Sequence, residues 1–291
     1  MRTKQIVVVA IVFAIMGCLF FMPVKGLIKA KDDPGHATAT VNQAKPAAKF
    51  DVTMASTAAK LLIGPALSAQ INDLEGQLNN ATAEADKLAL QKKLAKQWDD
   101  DGQAAPAAFY YQAVAQKEND FDDWINAGSH FNDAFKATQD STAQPAFVTN
   151  AIASYKNATK LKPEDLTAKT GLGVAYVNQT SLGITDPDGG SPMQGIMLLL
   201  DVVKQDPNNR PANLNLGLFA MKSGQFEKAV ARFKTVIAQK AEGEPYFYLA
   251  ESYKQLGRKK EAIEAYQKCK ELMPDPAFAQ RIDEYIKDLK N

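Results

Sequence analysis

One set of residues recurs along the chain in the same order and at similar spacing. Near the end, Tyr246, Leu249, Ala250 and Tyr253 are followed by Ala262, Tyr266, Cys269 and Pro274. Thirty-three residues before them stand Asn213, Leu216, Gly217 and Ala220, followed by Ala229, Phe233 and Val236. Leu172, Gly173 and Tyr176 repeat the pattern upstream, and Trp124, Ala127, Gly128 and Phe131 repeat it again. The apolar residues fall three and four apart, the period of one helix face, and no convincing alternating strand occurs from residue 50 onward. The positions are steric in character. Gly128, Gly173, Gly217 and Ala250 are small enough to let a neighbouring helix approach, and Ala151, Ala229 and Ala262 do the same from the facing side. Aromatics at Phe131, Tyr155, Tyr176, Phe233, Tyr253 and Tyr266 fill the gaps between helices, each burying a large area. Pro163, Pro207 and Pro274 stop the second helix of a pair, because proline lacks an amide donor and restricts the residue before it. Such a chain stacks helix pairs on one another instead of wrapping one core.

These residues resemble the tetratricopeptide repeat family over about 121–275, and more loosely over 87–120. The resemblance implies an all-α fold, a right-handed solenoid of antiparallel helix pairs with a concave groove. Four units are expected over 121–275. The degenerate unit at 87–120 keeps the phase through Leu94, Trp98, Tyr110, Ala113 and Glu118, with Pro106 opening its second helix. Two units depart from the pattern, with about eleven extra residues around 136–146 and about ten around 179–192. The junction of the third and fourth units carries Ala241-Glu242-Gly243 in place of a proline. Residues 276–291 read as an amphipathic capping helix with Phe278, Ile282, Ile286 and Leu289 on one face. Residues 50–86 read as one or two further helices. The spacing of Ile71, Leu74, Leu78, Ala81, Ala85 and Leu88 is compatible with a coiled coil, but Gly76 and Asn79-Asn80 interrupt the run and favour packing on the array.

The first 49 residues differ in kind. Residues 6–22 are seventeen in a row without a charge, preceded by Arg2 and Lys4 and closed by Pro23 and Lys25. At the helical rise they would span roughly 25 Å, near the short limit for a bilayer. The expectation is a transmembrane helix within 1–24, a single-pass anchor in an inner or cytoplasmic membrane, followed by a flexible linker over 25–49. A cleaved signal peptide, and a lipoprotein signal at Ile15-Met16-Gly17-Cys18, stay open as alternatives. Bases flank the run on both sides, so the charge rule for orientation nearly ties; the likeness to a signal sequence points to export of the repeats to the periplasmic side.

The formal charge of +1 conceals a division along the chain. Residues 1–49 carry a net +5, residues 50–210 a net −7 and residues 211–291 a net +3. An acidic body lacks the concentrated basic surface of a nucleic-acid-binding protein, so no nucleic-acid partner is expected. Cys18 and Cys269 make no disulfide framework, and His36 and His130 are too few for a His-rich metal site. Asp186-Pro187-Asp188-Gly189-Gly190 resembles the start of a calcium loop, but its twelfth position is Met197 instead of a bidentate Glu, and a turn explains it better. Arg258-Lys259-Lys260 makes a basic corner, which reads as a solvated charge run. No nucleophile elbow, phosphate loop or zinc-protease helix occurs, so neither enzyme activity nor a cofactor or metal is expected.

In the tetratricopeptide family the ligand lies along the first helices, at their second, fifth, ninth and twelfth positions. The resemblance therefore implies a lining of Ile125, Ser129 and Asn132 in the first clear unit and Thr170, Val174 and Val177 in the second. Leu214, Leu218 and Met221 follow in the third, and Phe247, Glu251 and Lys254 in the fourth; Asp122, Thr167, Pro211 and Glu244 hold the outermost positions. The basic-plus-Asn pattern that clamps a terminal carboxylate in some relatives is replaced by Ile125 and Ser129. The expected function is that of a membrane-tethered, non-catalytic adaptor that binds a peptide or helix of a protein partner in the groove. The alternative is a self-associating scaffold, with the groove filled by its own N-terminal helices or by a second copy.

Overall fold

In this computed structural model residues 50–184 and 192–290 are described, and among them thirteen helices and no strand occur. An N-terminal pair, α1 (Val52–Lys60) and α2 (Pro65–Asn80), precedes α3 (Glu84–Asp100) and α4 (Ala104–Glu118). The next pairs are α5 (Phe121–Ala137) with α6 (Gln144–Leu161), and α7 (Leu166–Ser181) with α8 (Pro192–Gln205). Then come α9 (Arg210–Lys222) with α10 (Phe226–Gln239), and α11 (Gly243–Gln255) with α12 (Lys259–Leu272). A single helix, α13 (Pro276–Lys290), ends the described chain.

From α2 onward each helix packs on the next, as stacked hairpins must. The first helices of the pairs also touch in succession, α5 on α7, α7 on α9 and α9 on α11, and so build one continuous face. Three of them begin under a side-chain cap: Asp120 accepts from the amide of Asp122 at 2.8 Å, Asp165 from Ala168 at 2.8 Å and Asn209 from Ala212 at 3.0 Å. Each cap satisfies an amide that would otherwise lack a partner, a stabilisation of about 1 kcal/mol. Second helices end at Leu161, Gln205 and Leu272, just ahead of Pro163, Pro207 and Pro274. The turns into α10 and α12 place Gly224 and Gly257 at φ of 72° and 69°, a left-handed conformation open to glycine at no steric cost.

Small residues set how closely the helices approach. A methyl group at Gly128 of α5 would come 2.7 Å from the ring of Tyr155, and one at Gly171 of α7 would come 2.1 Å from it. Tyr155, 4% exposed, is thus wedged between two glycines from successive first helices. Phe233 lies in the same way against Gly217, where a methyl would meet the ring at 2.7 Å. Facing them, Ala151, Ala229 and Ala262 are fully buried.

The extra residues near 136–146 go mostly into longer helices, since α5 runs to Ala137 and α6 starts at Gln144. Asp140 closes the short link by accepting from the Thr142 amide at 2.8 Å and its hydroxyl at 2.7 Å, which hold its carboxyl below the usual range. At the N-terminal end α2 stops at Asn80, and Ile71 shares a core with Leu94 and Trp98. Glu75 ties this end together: it pairs with Lys60 of α1 and accepts from the Ser56 and Tyr110 hydroxyls at 2.6 and 3.3 Å. At the other end α13 buries Ile282, Ile286 and Leu289.

The membrane expectation is corrected here. No helix among the described residues is long and apolar enough to cross a membrane. The run at 6–22 on which the transmembrane anchor and exported location rested lies outside the described residues, as do the linker over 25–49 and the Asp186–Gly190 loop.

Two outcomes follow from this packing. Gly171→Ala should lower stability by about 1–3 kcal/mol, because the buried ring must be displaced from a filled space; urea unfolding followed by circular dichroism measures it. The second is alkaline lability. Burial, then hydrogen bonding to Asp99, pushes Tyr111 up to about 12, and burial, then the charge of Glu244, pushes Tyr248 up to about 12. Burial is also the leading cause that raises Tyr110, Tyr155 and Tyr266. A phenol with a raised folded-state value binds its proton more tightly when folded. Its contribution is therefore complete below about pH 10 and lost as pH climbs through the folded value. Unfolding free energy should be flat between pH 7 and 9 with respect to these groups and fall steadily from about pH 10 to 12.

Candidate functional site

The face formed by α5, α7 and α9 holds two neighbouring cavities. The first, about 220 Å³, lies at the junction of α5, α7 and the start of α9. Ser129, Asn132, Thr170 and Val174 line it, with Asp133, Lys136, Tyr155, Thr167, Gly171, Asn209, Pro211 and Asn215. The second, about 360 Å³, is lined by Val177, Asn178, Asn215, Leu218, Phe219, Met221, Lys222 and Tyr248. Asn215 belongs to both, so the two cavities are adjoining.

Why the first cavity exists follows from the wedge. Gly128 and Gly171 give the Tyr155 ring its place, and its hydroxyl end is left beside Asn132 and Ser129. Burial raises the phenol, while hydrogen bonds from Asn132 and Ser129 oppose the rise. Asn132 also donates through Nδ2 to the carbonyl of Gly171 at 3.2 Å, which ties α5 to α7. The remaining polar capacity is unused. Asn132 Oδ1 and Thr170 Oγ1 are buried without a hydrogen-bond partner, and so is Asn178 Nδ2 beside the second cavity. Asn132 and Thr170 are 6% and 7% exposed, so solvent reaches them poorly. A buried polar atom left unpaired costs on the order of 1–3 kcal/mol. Of the four such atoms found among the described residues, three line this face.

Seven of the twelve residues expected to line a groove meet at these cavities: Ser129, Asn132, Thr170 and Val174 at the first, and Val177, Leu218 and Met221 at the second. The other five do not. Ile125 packs into the cores around Phe131 and Trp124, and Leu214 against the core around Phe233. In the fourth unit the last helix packs against Phe247. Phe247 lies 6.3 Å from Phe278 and 6.5 Å from Tyr285 of α13, and Lys254 stands 5.3 Å over the Tyr285 ring. Glu251 accepts a hydrogen bond from Tyr266. Phe247 is thus half-buried against α13 and Glu251 half-buried beside Tyr266, while Lys254 stays exposed over the Tyr285 ring.

Self-occlusion by the N-terminal helices also needs correction. α1 packs on α4, with Phe50 5.2 Å from Phe147 of α6, and α2 packs on α3. Neither helix contributes a residue to the two cavities.

Sequence reasoning missed Asn178, Asn209, Asn215 and Tyr248. The first three are polar residues one or a few positions from the family's lining positions, and Tyr248 sits next to Phe247; no periodic signal separates them from surface residues. Elsewhere, His130 stacks on Tyr111 with centroids 5.2 Å apart and lies 3.4 Å from Asp99, joining α3, α4 and α5. Cys269 is fully buried, and burial raises its thiol to about 11, which makes it a packing residue. Among the described residues no group of three His, Cys, Asp or Glu is placed to hold a metal.

Residues 243–276, which span α11, α12 and the start of α13, match the tetratricopeptide repeat model. The fold is the tetratricopeptide repeat fold. A thermophilic TPR protein of Thermus thermophilus superposes with a TM-score of 0.52 and 22% identity, over 68% of this chain and 97% of that one. A tetratricopeptide repeat protein from Parabacteroides merdae gives a TM-score of 0.53 at 15% identity, over 77% of this chain and 80% of that one. At these identities the likeness is one of fold. No curated protein matches the chain by sequence. Tetratricopeptide repeat proteins are in general non-catalytic scaffolds for protein interaction.

The unpaired hydroxyl of Thr170 has a measurable consequence. Thr170→Val removes a buried polar group that has no partner and keeps the shape, so the free protein should be as stable as the wild type or up to about 1 kcal/mol more stable, as read by urea unfolding.

Proposed function

We propose that this tetratricopeptide array is a non-catalytic adaptor that binds a segment of a protein partner on the face of α5, α7 and α9. One observation carries the reading: two adjoining cavities on that face, the first lined by buried polar atoms without partners and the second by Val177, Leu218, Met221 and Tyr248. Polar groups fix the orientation of a ligand and apolar walls supply most of its binding energy. Near the first cavity Lys136 lies 3.5 Å from Asp133 and Lys169 2.8 and 3.1 Å from Glu164 and Asp201, while Lys222 adds a positive charge at the second. Of the fourth unit, Tyr248 borders the second cavity.

The test is a display of random peptides against the full chain, repeated with Leu218→Glu. A charge placed in the second cavity should abolish enrichment while the helical circular dichroism stays unchanged, since Leu218 is only half-buried. Peptides that enrich equally on both proteins would refute the assignment of the site. Concentration-dependent self-association that Leu218→Glu abolishes would replace the reading with a second copy of the chain as the occupant.

A further inference from the structure

The edge of the array where each first helix turns into its second carries opposite charge at its two ends. Stacked hairpins bring these turns to one side, so the α3–α4 and α11–α12 turns share an edge, with three pairs between them. At the first of these turns α3 finishes in Asp99, Asp100 and Asp101; at the last, Arg258, Lys259 and Lys260 open α12. All six but Asp101 are exposed.

Neither cluster serves the helix it stands on. A helix is partly negative at its C-terminal end and partly positive at its N-terminal end, so acids closing α3 and bases opening α12 are both of the disfavoured sign. The last turn of α3 holds no base, and the first turn of α12 holds one acid, Glu261, which Arg258 occupies at 2.5 Å. Lys96 pairs with Asp100, and Asp99 lies 3.4 Å from His130, while Lys259 and Lys260 form no ion pair among the described residues. Lys222, Lys254, Lys287 and Lys290 lie toward the same edge, but at helix C-terminal ends, where the dipole alone accounts for them. Apolar surface adjoins the acidic end. Because α2 runs back along α3, the α1–α2 turn stands beside the aspartates, and its Ile63 packs in the cluster of Trp98. Leu61 and Leu62 of that turn are 84% and 78% exposed, more than any other large apolar side chain among the described residues.

An edge that is acidic at one end and basic at the other is complementary to its own reverse. A two-fold rotation exchanges the ends, so the spacing of the clusters matches in the partner without further coincidence, and each contact is made twice. We propose that a second copy of this chain docks on this edge, antiparallel, with Asp99–Asp101 of each copy against Arg258–Lys260 of the other. The same rotation brings Leu61 and Leu62 to the end of the other copy's α13, where the aliphatic stems of Lys287 and Lys290 cover them. This edge is not the face of the two cavities, and the proposal stands apart from the peptide-binding reading.

Sedimentation equilibrium of the full chain tests it, with two charge-reversed proteins, Asp100→Lys/Asp101→Lys and Lys259→Glu/Lys260→Glu. The wild type should form a dimer that grows no further with concentration, and its dissociation constant should rise about tenfold between ionic strengths of about 0.05 and 0.5 M. Each variant alone opposes like charges at both contacts and should be a monomer. An equimolar mixture of the two opposes unlike charges at both contacts and should restore the dimer. Both variants place the favoured sign at a helix end, so each should melt no lower than the wild type by circular dichroism, which separates lost association from lost folding. A wild type that stays monomeric at low salt, or an association that both variants keep, would overturn the proposal. Assembly beyond two copies would overturn the two-fold arrangement, and two monomeric variants that fail to pair on mixing would overturn the reciprocal contact.

Discussion

The ring of Tyr155, held between Gly128 and Gly171, sets the geometry on which the middle of the array depends. With 2.7 and 2.1 Å available where a methyl group would stand, only hydrogen fits on either side. The approach of α5 and α7 to the ring is then set by contact, and it cannot relax in either direction without loss. A larger residue forces the ring out, and a smaller ring leaves a cavity. The same contact delivers the phenol hydroxyl to Asn132 and Ser129 and leaves the first cavity beside it. Packing and the candidate site are therefore one arrangement seen from two sides.

Each repeat lacks a core of its own, so its stability is borrowed from its neighbours, and the ends need special treatment. At the N-terminal end α1 and α2 close over Trp98 and Ile71, with Glu75 gathering Lys60, Ser56 and Tyr110. At the C-terminal end α13 lays Phe278 and Tyr285 over Phe247. Both closures use residues that would otherwise expose apolar surface. Between these closures the two cavities lie on the face of α5, α7 and α9, with Tyr248 of α11 at the border of the second.

The middle of the array is also where the polar accounting fails to close. Among the described residues, other buried side chains apart from Trp98, whose Nε1 has no partner, are well paired. Asn213 donates to the carbonyls of Pro207 and Asn209 at 2.9 Å each, and accepts from Arg232 at 2.8 Å. Ser252 bonds the carbonyl of Tyr248 at 2.7 Å. Against that background, the unpaired atoms of Asn132, Thr170 and Asn178 cluster beside adjoining cavities instead of scattering through the core.

The recurrence of small, aromatic and proline positions was enough to specify helix pairs, their phase and the capping helix, because those positions obey local rules: helical period, steric size and the missing amide of proline. It also placed Ser129, Asn132, Thr170, Val174, Val177, Leu218 and Met221 on the face that holds the two cavities, through family positions that depend only on phase. It could not say that Phe278 and Tyr285 pack against Phe247, since that depends on a helix some thirty residues further along the chain folding back on α11. Nor could it find Asn178, Asn215 or Tyr248, which matter only because of what stands opposite. The apolar run at 6–22 read as a membrane span from its length and composition; the helices of the described body carry no such span. Sequence determined the elements and their order, because propensity and period act within a few residues. The tertiary structure alone decided which polar atoms found partners and which face stayed open, because both are properties of contacts between residues distant in the chain.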